Sequence, residues 1–275
     1  MKLYKYQGAG NDFLIADNRD GSIVLDPKQI ADICDRRYGV GADGLMLLEN
    51  SPEYDFRMVY YNSDGSGGMM CGNGGRCIVA FAADRGIENF DFDAADGFHT
   101  AQIVASSGKE KTIRLKMKDV AEISRYSSLK DVNVPSEGYF LDTGTRHYVR
   151  FVDDLEHYDI VSEGRAIRYG ASAFQPVGVN VNFVEPSDSC IKVRTYEKGV
   201  EDETYACGTG IVASCIAAYE YGVKPSLADG NTARYDVLAK RDRLAVDFET
   251  AEGNSAYEVW LTGPATFVAE IEITI

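Results

Sequence analysis

One stretch decides the fold of this chain: Met70-Cys71-Gly72-Asn73-Gly74-Gly75-Arg76-Cys77. The run Cys77–Ala83 at its end is apolar on nearly every side, which is typical of a helix buried within a domain. Gly86 then stands at the position of a helix-ending residue. The alternating residues 56–60 precede the stretch and predict a strand. Cys71 is therefore predicted to open a buried helix that follows a strand and a loop.

The same pattern returns after a shift of 136 residues. Cys71-Gly72-Asn73-Gly74 aligns with Cys207-Gly208-Thr209-Gly210, and the apolar run Ile211–Ala218 follows the second cysteine. Gly222 corresponds to Gly86 at the same shift. A chance match of four residues would not keep this second spacing. The chain is therefore predicted to contain two copies of one unit, each about half its length.

This duplication predicts an α+β fold of two pseudo-symmetric domains, each a mixed β-sheet wrapped around a central buried helix. The expected boundaries are residues 1–119 plus 263–275 for the first domain and 120–262 for the second. The tail Ala269–Ile275 is expected to return to the sheet of the first domain. A further helix is predicted from Asp26 as N-cap and Pro27 at its first position, with Gly39 as the stop.

Composition and charge limit the classes of partner. The 275 residues are 45% hydrophobic and 26% charged, with a net charge of −15, which disfavours nucleic acids and anionic membranes as partners. No apolar run approaches the length of a membrane span, and the first residues lack the apolar core of a signal peptide. The cytoplasm is the expected location, and a small molecule is the expected partner.

The six cysteines and three histidines lack the spacing of a zinc site, so no metal is expected. Cys77 and Cys215 lie inside the apolar runs and are predicted to be core residues, and Cys34 and Cys190 are predicted to be core or partly exposed. The string Gly39-x-Gly41-x-x-Gly44 matches a dinucleotide-binding pattern, but it follows a helix and precedes a strand, the wrong order for that site.

Cys71 and Cys207 differ from the other cysteines because each is predicted to open a helix. The positive end of a helix dipole lowers the pKa of a thiol and favours the thiolate. The adjacent glycines leave the first backbone N–H groups uncovered, so that each helix start can also bind a carboxylate. Two such units facing each other would place one thiol on each side of a substrate carbon. This arrangement predicts inversion of a stereocentre by two acid/base groups without a cofactor.

Several longer motifs resemble one known family, diaminopimelate epimerase, along most of the chain. In chain order they are Gly8-Ala9-Gly10-Asn11-Asp12-Phe13, the segment 36–44, the segment 61–66, the segment 70–77, Gly178-Val179-Asn180-Val181-Asn182-Phe183, the segment 194–199 and Ala206-Cys207-Gly208-Thr209-Gly210. The resemblance implies interconversion of LL- and meso-2,6-diaminopimelate, an isomerase reaction of lysine and peptidoglycan precursor biosynthesis. It also implies independence of pyridoxal phosphate and two domains that close over the substrate.

The resemblance assigns roles position by position. Cys71 and Cys207 become the catalytic acid/base pair, and His147 and Glu197 tune their pKa. The substrate-binding residues that it implies are Asn11, Asn62, Gly72, Asn73, Asn180, Glu197, Lys198, Gly208 and Thr209. Of these, Gly72, Asn73, Gly208 and Thr209 are expected to bind the carboxylate at the reacting centre through backbone N–H groups.

Four positions depart from residues that are common in the family. Lys198 stands where Arg is usual, and Gly44 stands where some members have Gln. Thr145 and Arg146 precede His147, where many members have Asn or another residue followed by Pro. Lysine keeps the charge of arginine but loses its two-pronged grip on a carboxylate. A racemase or isomerase of another amino acid on the same fold is therefore the alternative. A thiol redox sensor that uses Cys71 and Cys207 is a further one, and a homodimer is left open.

Overall fold

The computed structural model describes residues 1–68, 70–188, 190–251 and 255–274. Its contacts divide the chain into two units: unit 1 comprises Met1–Lys116 and Thr262–Ile275, and unit 2 comprises Met117–Leu261. Strand β17 (Ser255–Glu272) contributes residues to both units. Each unit is a mixed sheet with a buried helix, which confirms the predicted α+β class.

In unit 1 the strand pairings close around helix α2. Its elements are β1 (Lys2–Gly8), β2 (Asn11–Asp17), α1 (Pro27–Cys34), β3 (Gly44–Glu49), β4 (Phe56–Asn62), α2 (Gly72–Asp84), β5 (Asp91–Ala94), β6 (Gly97–Ser107) and β7 (Glu110–Lys116). Strands β1 to β7 pair in chain order, and β17 pairs with both β7 and β1. Glu272 lies opposite Lys2, so the predicted return of the C-terminal tail to this sheet is confirmed.

Helix α2 forms the centre of unit 1 because its apolar residues leave no polar face. Residues Gly72 to Ala82 are all buried, and the helix packs against β1, β2, β3, β6 and β7. Phe81 is fully buried between the rings of Tyr4 and Tyr6, at 5.3 and 5.9 Å between ring centroids. Burial of one such side chain contributes about 2 kcal/mol. The helix ends before Gly86, whose φ of +83° favours glycine.

Unit 2 surrounds helix α4 in the same way. Its elements are β8 (Ile123–Tyr126), β9 (Gly138–Asp142), β10 (Arg146–Phe151), α3 (Ile160–Gly170), β11 (Asn180–Pro186), β12 (Ile191–Glu197), β13 (Asp202–Thr204), α4 (Gly208–Tyr221), β14 (Leu227–Asp229), β15 (Thr232–Leu238) and β16 (Arg243–Ala251). Helix α4 is buried from Gly210 to Ala218 and packs against β9, β10, β11, β12 and β16. In the described part of the chain, no helix combines the length and the apolar character needed to span a membrane.

The two units repeat one order of elements. The series β1–β2–α1–β3–β4–α2 of unit 1 recurs as β9–β10–α3–β11–β12–α4 in unit 2, with β13 inserted before α4. In both, the second and third strands pair in parallel. Phe13 lies opposite Gly44, whereas Val149 lies opposite Asn182. The constant shift of 136 residues is therefore kept at the two cysteine helices but not in this strand pair.

The end of helix α1 differs from the prediction. Asp26 is its N-cap and Pro27 its first residue, as predicted, but the helix ends at Cys34, so Gly39 as its stop is wrong. The Asp35 carboxylate accepts the backbone N–H groups of Arg37 and Tyr38, both at 2.7 Å, and turns the chain away from the helix axis. A Cβ on Gly39 would lie 2.1 Å from Asp32 O, so the turn packs tightly back against the helix.

Candidate active site

Cys71 is the N-cap of α2, as the sequence predicts. Its extended backbone (φ −110°, ψ 150°) brings the side chain back over the first turn of the helix. There the Sγ accepts the backbone N–H of Gly74 at 3.2 Å. A Cβ on Gly74 would also lie 3.2 Å from that Sγ, so glycine leaves room for the sulfur. An N–H donor at the positive end of the helix favours the thiolate over the thiol.

The first turn of α2 is held by a fully buried arginine. Arg76 Nη2 donates to Asn73 Oδ1 at 2.8 Å, and Arg76 Nη1 donates to Gly72 O at 3.1 Å. Its Nε donates to Pro264 O of β17 at 3.2 Å. The guanidinium thus fixes the two residues predicted to bind a carboxylate. Sequence reasoning gave Arg76 no role, although a charged residue directly before a buried apolar run is a signal for one.

Asn11 and Asn62 lie in unit 1 with their amide nitrogens engaged. Asn11 Nδ2 donates to the carboxylate of Asp43, which also accepts from Arg36. Asn62 Nδ2 donates to Ser66 Oγ at 3.0 Å. Because the nitrogen of each amide is held by the protein, each Oδ1 is left as an acceptor, the group that an ammonium requires.

Cys207 is the N-cap of α4 and is buried, with 8% of its surface exposed. Its Sγ contacts the hydroxyl of Thr209 at 3.5 Å, where Cys71 instead contacts a backbone N–H. Thr143 Oγ1 donates to Thr209 O at 3.0 Å and holds this first turn of α4. Both cysteines therefore open helices, but different groups stabilise their sulfur atoms.

His147 lies directly behind Thr209 and is fully buried on β10. Its Nε2 lies 3.0 Å from Thr209 Oγ1 and 2.8 Å from Thr145 Oγ1, and its Nδ1 lies 3.0 Å from Asn182 Nδ2. Burial lowers the pKa of His147 to about 3, against a smaller opposing effect of the Asp142 carboxylate. The imidazole is therefore neutral at physiological pH.

Asn180, Glu197 and Lys198 lie at neighbouring strand ends of unit 2. Asn180 Oδ1 accepts the backbone N–H of Lys198 at 2.9 Å, and its Nδ2 donates to Arg146 O at 3.1 Å. Glu197 Oε2 accepts from Thr204 Oγ1 at 2.7 Å. The side chain of Lys198 is exposed. Asn180 thus fixes the backbone from which the Lys198 side chain extends.

The two residues before His147 lie in different environments. Thr145 belongs to the contacts around His147 and Thr209, with its Oγ1 3.0 Å from Thr209 Oγ1. The guanidinium of Arg146 lies over the ring of Phe140, and its Nη1 donates to Phe174 O at 3.3 Å. Adjacent residues of a strand point to opposite faces, so the charge of Arg146 lies on the face away from His147.

Three of the remaining cysteines, Cys34, Cys77 and Cys215, have the surroundings of inert thiols. Burial raises the pKa of Cys34 to about 11 and raises those of Cys77 and Cys215 further. Cys190 is half-buried beside Ser187. The placement of Cys77 and Cys215 in the core is as predicted.

In unit 2, Cys207, Thr209 and His147 form one group of contacts, and Asn180 with Lys198 forms another. In unit 1, Cys71, Gly72 and Asn73 share the first turn of α2, whereas Asn11 and Asn62 have separate partners. Sequence reasoning missed Asn182 and Thr195, which lie behind His147. The available signal was the alternation Asn180-Val181-Asn182, which predicts both amides on one face of a strand.

Comparison with known proteins places this chain among enzymes of one kind. Residues 3–120 and 139–268 match the family model described as diaminopimelate epimerase. The chain is 44% identical over 281 residues to a diaminopimelate epimerase of Flavobacterium psychrophilum, covering 99% of this chain and 100% of that protein. It is 39% identical to one of Chlorobaculum tepidum, covering 98% of this chain and 99% of that protein.

Solved structures with lower identity share the fold. A phenazine biosynthesis protein of the PhzF family from Bacillus anthracis matches with a TM-score of 0.72 at 16% identity, over 100% of this chain and 99% of that one. A hydroxyproline epimerase from Agrobacterium vitis matches with a TM-score of 0.65 at 16% identity, over 98% of this chain and 91% of that one. At such identities the likeness concerns the fold alone.

Proposed function

The chain belongs to the diaminopimelate epimerase family of isomerases, and from this premise we propose that it interconverts LL- and meso-2,6-diaminopimelate. The reaction would supply the precursor of lysine and of peptidoglycan, and it would need no cofactor. Cys71 and Cys207 act as the two acid/base groups. The predicted location remains the cytoplasm, and the choice between a monomer and a homodimer is left open.

One observation carries the proposal: the buried central helix of each unit begins directly after a cysteine. A thiol at a helix N-cap is exposed to the positive end of the dipole, about half an elementary charge, which favours its ionised form. A buried thiol elsewhere experiences the opposite effect, as the raised pKa of Cys34 illustrates. The two thiols best suited to exchange protons are thus the two at equivalent positions of the repeated unit.

The chemistry balances with one thiolate and one thiol. The thiolate takes the proton from Cα, and the electron pair of the broken C–H bond is delocalised into the substrate carboxylate. The thiol of the other cysteine then delivers its proton to the opposite face of the same carbon. The configuration inverts, and the two cysteines exchange protonation states, so that the reverse reaction starts from the opposite pair.

The carboxylate that accumulates negative charge is bound at the helix starts. The first N–H groups of a helix point along its axis and attract anions. These groups belong to Gly72 and Asn73 in unit 1 and to Gly208 and Thr209 in unit 2. The hydrogen bonds from Arg76 hold the turn of unit 1 rigid, which supports stabilisation of charge without reorganisation.

The distal end of the substrate carries a second ammonium and a second carboxylate. Asn11 and Asn62 present amide oxygens that suit an ammonium, and Glu197 adds a carboxylate. Lys198 suits the distal carboxylate because, in the described part of the chain, its exposed ammonium forms no ion pair. Asn180, which fixes the backbone of Lys198, would then act by positioning it.

The deciding experiment measures exchange of the Cα hydrogen in deuterium oxide with a panel of amino acids. We expect the purified protein to incorporate deuterium at Cα of diaminopimelate and to convert the LL isomer to the meso isomer. Exchange with proline or histidine but not with diaminopimelate would instead indicate a racemase of another amino acid. A physiological response carried only by the oxidised protein, with no exchange in the reduced one, would indicate the redox sensor.

A further inference from the structure

A line of hydrogen-bonding groups leads to Cys207 through the interior of unit 2. Thr195 Oγ1 lies 2.9 Å from Asn182 Oδ1, and Asn182 Nδ2 lies 3.0 Å from His147 Nδ1. His147 Nε2 contacts the Thr145 and Thr209 hydroxyls, and Thr209 Oγ1 contacts Cys207 Sγ at 3.5 Å. Asn182 and Thr195 are buried and have no part in the chemistry proposed above.

The direction of this line is set by the orientation of the Asn182 amide. Asn182 Nδ2 donates to the backbone oxygen of Tyr148 at 3.4 Å, and that oxygen can only accept, so the amide nitrogen lies on the side of His147. Asn182 Oδ1 then accepts from the Thr195 hydroxyl, and the amide nitrogen carries only donor hydrogens. His147 Nδ1 therefore accepts. A neutral imidazole has a single N–H, which must be on Nε2.

This tautomer decides what the two threonine hydroxyls can do. Because Nε2 carries the hydrogen, it donates and cannot accept from either Thr145 or Thr209. When Nε2–H donates to Thr145, the Thr145 hydroxyl can donate to Thr209 at 3.0 Å. The Thr209 hydroxyl then has Cys207 Sγ as its acceptor. Every donor in the line has an acceptor in this arrangement.

The first turn of α4 is built to admit these side chains. A Cβ on Gly210 would lie 2.4 Å from Asn182 Oδ1 and 3.2 Å from His147 Cε1. The amide and the imidazole thus pack directly against the backbone of the helix that Cys207 opens. The charged group that acts on His147 is the Asp142 carboxylate on β9, and the titratable group at the start of α4 is Cys207, its N-cap.

We propose that Asn182 and Thr195 are positioning residues that hold His147 with its hydrogen on Nε2, so that the Thr209 hydroxyl donates to the Cys207 thiolate. The inference rests on the proposed role of Cys207 as an acid/base group. His147 acts in it as a fixed neutral donor and never as a proton acceptor. The line stabilises the sulfur anion after each proton leaves it.

The first test is the tautomer of His147 in the wild-type protein with ¹⁵N-labelled histidine. We expect nitrogen chemical shifts of a neutral ring with hydrogen on Nε2 across the pH range of activity. His157, which is exposed and has its pKa raised by Asp154, serves as an internal control that titrates. A neutral ring with hydrogen on Nδ1, or an imidazolium at neutral pH, would overturn the proposal.

The second test is the pH dependence of alkylation of Cys207 by iodoacetamide, followed by mass spectrometry of its peptide. The carboxylate of the Asn182→Asp variant accepts a hydrogen bond from His147 Nδ1, so the ring carries its hydrogen on Nδ1. His147 Nε2 then accepts from the Thr209 hydroxyl, which no longer donates to Cys207 Sγ. We expect the alkylation midpoint to rise by about one pH unit, since a hydrogen bond to a charged group is lost. Thr195→Val should raise it in the same direction, and Thr195→Ser should restore the wild-type midpoint.

Asn231→Asp is the matched control, because Asn231 is exposed in the same unit between β14 and β15. Its midpoint should equal that of the wild type. An unchanged alkylation midpoint in a folded Asn182→Asp variant refutes the proposal. If that variant does not fold, the tautomer of His147 in the wild-type protein decides whether the proposal holds. Neither measurement needs a substrate. If the protein did not exchange the Cα hydrogen of diaminopimelate, the proposed function would be refuted, but the tautomer of His147 and the alkylation midpoint of Cys207 would still test this inference.

Discussion

The ring of Tyr60 occupies the space into which a side chain on Gly44 would extend: a Cβ at position 44 would lie 2.5 Å from Tyr60 Cε2 and 2.9 Å from its hydroxyl oxygen. On the other side, a Cβ on Gly68 would lie 2.4 Å from Tyr60 Cδ1. Two glycines therefore enclose one aromatic ring. Burial raises the pKa of the Tyr60 hydroxyl, and the charge of Cys71 raises it further, so the phenol stays protonated.

Gly44→Ala should destabilise the protein, because the new methyl group forces the ring of Tyr60 out of its position. Overpacking of this kind costs about 1–3 kcal/mol in the free energy of unfolding. Denaturant unfolding measures the difference. Gly67→Ala is the control, since a Cβ there meets no atom within 4 Å and should change the free energy by less than about 0.5 kcal/mol. Equal stability of Gly44→Ala and wild type would contradict the enclosed ring.

Cys71→Ala and Cys207→Ala should each abolish epimerisation, because each removes one of two required proton carriers. We expect kcat to fall by at least about 10²–10⁴-fold. Cys190→Ala, outside both helix starts, should keep wild-type activity. The Cys71→Ser and Cys207→Ser variants should still catalyse loss of hydrogen halide from a β-halogenated substrate of one configuration each, since elimination needs one base. Full epimerase activity in either alanine variant would refute the two-thiol mechanism.

Lys198→Ala should weaken substrate binding more than it slows the reaction. Loss of a charge-assisted hydrogen bond to the distal carboxylate should raise KM about tenfold and leave kcat nearly unchanged. Lys198→Arg should keep or lower KM, because the guanidinium binds a carboxylate at two points. Lys224→Ala removes an exposed lysine of the same unit and is the control. A fall in kcat at constant KM would instead assign Lys198 to proton transfer.

His147 should make the protein less stable as the pH falls. Its folded-state pKa of about 3 lies below the ordinary value of 6.5, so the unfolded chain binds more protons between these values. The stability that it contributes is present above pH 6.5 and is lost below it at about 1.4 kcal/mol per pH unit. Denaturant unfolding at several pH values should show this slope in the wild type and its reduction in His147→Gln. His157→Gln should keep the wild-type slope below about pH 6, because the raised pKa of His157 places its own effect on stability above that range.

The sequence predicted the elements whose pattern is local. The apolar runs around Cys77 and Ile211 allowed only buried helices, and the glycines after them marked where those helices end. The stop of α1 was predicted wrongly because the Asp35 carboxylate ends the helix through two backbone hydrogen bonds. A turn of this kind and a glycine can each end a helix, and the residue types alone do not show which of the two ends it.

Contacts between distant residues were harder to predict. The position of Asn182 beside His147 depends on the parallel register of β10 and β11, which slides by two residues relative to β2 and β3. The direction of Arg146 depends on the aromatic ring of Phe140 and on the backbone oxygen of Phe174. The fit of Tyr60 between Gly44 and Gly68 depends on three segments meeting. Alternation within one strand shows which face a side chain such as Asn182 occupies, but not which residue of another segment lies beside it.

The pairing of β17 with β1 has a consequence for synthesis of the chain. Strand β1 finds one of its two partners only in residues 266–272, which follow the whole of unit 2 in the sequence. All residues of unit 2 have been synthesised by then, so unit 2 can fold during translation while β1 still exposes an unpaired edge. Completion of unit 1 is therefore the final event, and a chain interrupted before β17 would carry an open strand edge available for aggregation.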